Sequence, residues 1–284
     1  MNESYGMDLW RRLRRARVWV GLQFGLTLAL ILLGLGWTRL PEKHWWQVGL
    51  SLLIPLVLTI SALELQAGTV RRLADDDGKR VKLVWGAVTL LVWVAVVWVT
   101  WAALDWCDDR IWQWASYLNS KASADGRATV FTFEHIQSWL TDLEWVVRWI
   151  ALPAKVIPYA AASAQWGLRL PLRRVIRMLW NWRWWGGVAL AALVGVVLPE
   201  NFFSGEPKGT VTAQVWAVGM KLAVSYLLAV ASWVVLLGWW AVLFCRQQRP
   251  PAEEELVAVP VLSGPPDGEL RARAVPPEEE ESAG

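Results

Sequence analysis

Cysteine and histidine are nearly absent from this chain of 284 residues, which has two of each. Cys107 and Cys245 do not make a disulfide framework. His44 and His135 are too few for a histidine-rich metal centre, and neither belongs to an HExxH pattern. Glycine-rich phosphate loops, a GxSxG elbow and any rhomboid-like or zincin pattern are missing, so no enzymatic signature is present and no cofactor is predicted. Apolar and polar residues do not alternate over segments of about 10 residues, which excludes a transmembrane β-barrel. Arginine and lysine cluster only beside apolar runs, which leaves nucleic-acid binding without support. No internal repeat with a period of about 20–50 residues is evident.

Apolar length and tryptophan are what the chain does have. Hydrophobic residues make up 55% of it. They come in uncharged blocks near the ~18–20 residues that cross a hydrocarbon core as a helix, not in the stripes of a soluble domain. The 24 tryptophans suit the same solvent, because an indole with one N–H settles where apolar and wet regions meet. The predicted fold is an all-α integral membrane protein, a bundle of about six transmembrane helices. Spans are predicted over 18–37, 46–65, 83–104, 144–166, 184–198 and 214–244. The first follows a basic segment, residues 1–17. It is too long for a signal peptide and lacks a small-residue cleavage site, so it is read as an uncleaved span.

Three further segments complete the layout. Residues 105–143 are predicted as an outer amphipathic segment, two helical pieces around SKASADGRATV. Near its end Thr141 is read as the N-cap of the next helix, with Glu144 closing a capping box and pairing with Arg148 at i+4. Residues 167–183 are predicted as an inner, basic interfacial helix. Apolar positions 172, 175, 176, 179 and 180 interleave there with Arg173, Arg174 and Arg177. Residues 246–284 hold seven of the 14 prolines and nine acidic residues. Such a segment buries too little apolar surface to repay ordering, so a disordered cytoplasmic tail is predicted, available to a cytoplasmic protein partner.

The fourth span is the hinge of the topology, because it carries Arg148, Pro153, Lys155 and Pro158. If it crosses, one side holds the five arginines of 1–17, Arg71, Arg72, Lys79, Arg80 and Lys82. The same side holds Arg169, Arg173, Arg174, Arg177, Arg183, Arg246 and Arg249. The other side holds only Arg39, Lys43, Arg110, Lys121, Arg127 and Lys208. That asymmetry follows the positive-inside rule and outweighs the roughly 2.5–3.5 kcal/mol of a central cation. The alternative, a re-entrant or in-plane segment, would turn Arg173–Arg183 outward. The expected location is the plasma membrane, a bacterial inner membrane, with both termini cytoplasmic.

The stretch 152–198 has a recognisable layout. A proline-containing span leads into LPLRRVIRMLWN, then the step Arg183-Trp184-Trp185, then a Gly/Ala/Leu-rich span. It resembles bacterial six-span proteins similar to the membrane domain attached to some glycerophosphodiester phosphodiesterases. The resemblance implies a non-catalytic membrane module and assigns no functional residue.

Ionisable residues inside spans are the first candidates for function. Lys155, between Pro153 and Pro158, is the candidate to bind an anionic substrate group. Arg173, Arg174, Arg177 and Arg183 are the candidates for headgroups of anionic membrane lipids. Asp105, Asp108 and Asp109 share a helix face, but with Glu134, His135 and His44 they show no metal-ligand spacing, and no metal site is predicted. The expected function is non-enzymatic, a structural or accessory module that binds lipid or a protein partner. The alternatives are a carrier built round Lys155 and, third, a membrane-embedded enzyme.

Overall fold

The structure, a computed structural model, describes residues 3–39, 43–74, 83–125, 132–167, 169–204 and 210–247. Of the predicted 246–284 tail only Arg246 and Gln247 fall among them, and residues 126–130 of SKASADGRATV are outside them as well. Every regular element described is helical. In chain order they are α1 Glu3–Arg15, α2 Arg17–Trp37, α3 Trp45–Ala74, α4 Leu83–Ala124 and α5 Phe133–Val146. There follow α6 Leu152–Trp166, α7 Leu172–Leu179, α8 Trp182–Ala192, α9 Leu198–Phe203 and α10 Val211–Arg246. Five helical stretches are long and apolar enough to cross a membrane: Arg17–Trp37, Trp45–Ala74, Val84–Ala124, Trp182–Phe203 and Val211–Arg246. The segment 144–166 is not one of the five, because its two cations and two prolines dilute its apolar character.

Boundaries differ from expectation where the helix outlasts the apolar run. Within the basic segment, Glu3–Arg15 is itself helical as α1, and α4 continues through the acidic face at 105–109 to Ala124. Thr141 caps nothing, since α5 runs through it; the N-cap is Thr132, whose hydroxyl accepts from His135 N at 3.4 Å. Two five-residue π turns, Val147–Ala151 and Leu193–Val197, join α5 to α6 and α8 to α9. Each ends directly before a Leu-Pro pair, Leu152-Pro153 and Leu198-Pro199. Proline has no N–H and its ring crowds the carbonyl four residues back. A widened turn relieves that clash and lets the helix continue.

The chain runs back and forth along one axis. Thr89 meets Ser163, Trp93 stacks on Tyr159, Trp101 packs on Trp149, and Asp105 pairs with Arg148. As the first number rises the second falls, so α4 and the α5–α6 segment are antiparallel. Leu73, Ala74, Ala164, Trp166 and Cys245 then gather at one end with α1. Arg12 donates to the carbonyls of Leu73 and Ala74 at 2.9 and 2.8 Å, and Trp166 faces Phe244 at 5.2 Å.

Helix α6 lies at the centre. Ala154, Ala161, Ala162 and Ala164 are buried, and such small residues let backbones approach where lipid gives no hydrophobic drive between helices. Its last carbonyls would be orphaned in an apolar medium. Arg71 donates to Ala164 O from two nitrogens at 3.1 and 3.0 Å, and Thr89 donates to Ser163 O at 3.1 Å. The chain leaves through Gly167 at φ 63°, a conformation that glycine adopts without a Cβ clash. Gly86 permits this approach, since a Cβ there would lie 2.6 Å from Ala164 O. Buried polar groups also pin α2 to α3. Thr69 Oγ1 accepts from Trp19 Nε1 at 3.0 Å and donates to Gln23 Oε1 at 2.6 Å.

Candidate functional site

The stretch 172–180 folds as α7, but only part of the predicted apolar set faces inward: Val175 is buried, Leu172, Ile176 and Trp180 are exposed, and the second core residue is Met178. Val175 and Met178 are fully buried, while Arg173, Arg174 and Arg177 are exposed. Charge therefore sits on the face away from the bundle, anchored by two core side chains. Exposed Arg11, Arg14 and Arg17 of the α1–α2 corner lie at the same end of the bundle. Arg183 behaves differently from the other predicted headgroup arginines. It lies in the first turn of α8, only partly exposed, with its guanidinium 4.6 Å from the Tyr5 ring and 5.7 Å from the Trp182 ring. Its backbone carbonyl accepts from Trp239 Nε1 at 3.0 Å.

Lys155 is exposed on α6 and, with Tyr159, borders a cavity of about 590 Å³. Leu179, Trp180, Trp182 and Trp185 form the rest of its lining. Two indole hydrogen bonds shape that wall: Trp184 Nε1 donates to Ala154 O and Trp185 Nε1 to Leu179 O, both at 2.8 Å. Among the described residues no carboxylate pairs with Lys155.

A third charged group was only half legible in the sequence. Arg148 pairs with Glu144 as its i+4 spacing predicts, and its other nitrogen reaches Asp105 of α4 at 2.8 Å. The guanidinium also lies 5.1 Å from the Trp101 ring centre, and Trp101 meets Trp149 edge to face. This cluster closes the base of the α4–α5 hairpin beside the first π turn. It binds its charges to one another, leaves no free cation, and reads as a structural joint. Sequence spacing carried no signal for the contact with Asp105, which lies 19 residues before the end of α4, whereas Arg148 lies 15 residues after the start of α5.

The remaining acidic candidates stay apart. Asp108 and Asp109 are exposed on α4, and His135 Nδ1 lies 3.1 Å from the Thr132 hydroxyl. Among the described residues no group of three His, Cys, Asp or Glu is placed to hold a metal ion. A contact that the sequence does not announce joins the first and last described helices: Arg246 pairs with Asp8 at 2.6 Å and stacks 3.7 Å over Tyr5. In comparisons with known proteins, no family model, no curated protein and no solved structure matches this chain.

Proposed function

We propose that this protein is a non-enzymatic, multi-pass membrane module that binds anionic lipid through a basic inner face. The observation that carries the reading is α7, with Val175 and Met178 sealed in the core and three arginines turned outward. Six spans are the reading the geometry favours. From Arg148 to Trp166 the chain travels roughly 28 Å at 1.5 Å per residue, close to a ~30 Å core. It returns from the level of Asp105 to that of Arg71. Both termini then lie in the cytoplasm of a bacterial inner membrane, and the acidic, proline-rich tail is available to a protein partner there. A module with such a face should concentrate anionic lipid, each arginine contributing about 1 kcal/mol near the surface. The test is lipid retained by protein purified from mixed phosphatidylglycerol and phosphatidylcholine vesicles. Arg173→Gln/Arg174→Gln/Arg177→Gln should lower the phosphatidylglycerol share, and an unchanged share refutes the reading.

A carrier is the second reading, favoured by one observation: Lys155 borders an aromatic cavity of about 590 Å³ without a carboxylate partner among the described residues. Lys155→Ala should abolish uptake of an anionic solute while leaving insertion and helicity intact. A variant that inserts and still supports the phenotype of its cell removes this reading.

A further inference from the structure

A second and larger cleft, about 680 Å³, opens between α1, α8 and α10. Leu9, Leu190, Val194, Ala231 and Val235 make its walls apolar. Volumes of this order are those of ligand sites, in which an apolar body is held and a few polar groups fix one end. Here the polar end is Arg183, beside Tyr5 where α1 closes the cleft. Among the described residues no carboxylate pairs with Arg183, whereas nearby Arg246 is matched by Asp8. The rings of Tyr5 and Trp182 hold the Arg183 guanidinium in place without neutralising it.

We propose that this cleft holds one acyl chain of an anionic phospholipid, with the phosphate on Arg183. An apolar trough ending on an unpaired guanidinium complements a molecule with a long apolar body and a single anionic end. A guanidinium also suits phosphate, which it can grip with two parallel N–H donors. The inference rests on the lipid-binding reading and narrows it to one place, distinct from the exposed face of α7.

The test uses the full chain, purified in mild detergent from vesicles of phosphatidylglycerol and phosphatidylcholine, with bound lipid counted by native mass spectrometry. The wild type should retain one phosphatidylglycerol with about fivefold preference over phosphatidylcholine. Arg183→Gln should keep one lipid and lose the preference, and Arg183→Lys should retain it. Gly186→Leu should lose the lipid of either kind. Gly186 lines the cleft and a Cβ there meets nothing within 4 Å, so the larger side chain fills space without moving α10. Circular dichroism establishes that each variant is folded. The proposal is overturned if Gly186→Leu retains lipid as the wild type does, if Arg183→Gln keeps the full preference, or if the wild type emerges as a lipid-free dimer. If the preference falls in Arg173→Gln/Arg174→Gln/Arg177→Gln but not in Arg183→Gln, the cleft is refuted and the basic-face reading stands. No preference in the wild type refutes both.

Discussion

Replacing Arg148 by methionine separates the two ion pairs that meet on it. The side chain of Arg148 is 15% exposed and that of Glu144 is 14%, whereas Asp105 is 59% exposed. Asp105 stays hydrated when its partner goes, and an exposed pair is worth at most about 1 kcal/mol. Glu144, partly buried, is left with no cation; breaking a fully buried pair costs about 3–5 kcal/mol, most of it from the uncompensated charge, and a partly buried one falls at the lower end of that range. Methionine keeps the apolar contact with Trp101 but forgoes a cation–π attraction of about 0.5–1 kcal/mol. The expected destabilisation of Arg148→Met is about 3–4 kcal/mol. Asp105→Asn should cost about 1 kcal/mol or less and matter less in high salt. Glu144→Gln/Arg148→Met removes the stranded charge and should recover at least half of the loss. The assay is unfolding in mixed micelles at neutral pH, followed by tryptophan fluorescence. If Asp105→Asn costs as much as Arg148→Met, or the double variant is no better than the single, the account of this joint is wrong.

Gly86→Ala should destabilise the protein by about 1–3 kcal/mol, since the new Cβ would lie 2.6 Å from the backbone oxygen of Ala164. Gly25→Ala, where a Cβ meets nothing within 4 Å, should be neutral or slightly stabilising in the same unfolding assay. Reporters fused before Met1 and after Arg249 should report the same, cytoplasmic side. Opposite sides would mean an odd number of spans and would withdraw Glu144–Trp166 as a crossing segment.

Much of the helical layout was legible because a helix in lipid satisfies its backbone within its own segment, so an apolar block of sufficient length announces itself. That is why 18–37 and α2 nearly coincide, whereas in α7 spacing indicated a basic helix with Val175 on its apolar side but not that Met178 is buried while Leu172 and Ile176 are exposed. The local pair Glu144–Arg148 was legible for the same reason: i+4 on a helix is a contact whatever the fold. The cap at Thr141 was misread because a short polar pattern is equally at home inside a helix. α5 starts at Phe133, capped by Thr132, and passes through Thr141.

What tertiary structure alone decided are the partners of everything that reaches across. Asp105 finds Arg148, Asp8 finds Arg246, and Arg71 covers Ala164 O because antiparallel helices meet in one register and present particular faces. The aromatic cavity beside Lys155 and the cleft that ends on Arg183 depend on the same non-local packing. Composition and spacing determine which segments are helices and which of their faces are charged. They carry no information on which faces meet, since in an apolar medium that choice rests on close packing of small residues and on a few hydrogen bonds between distant parts of the chain.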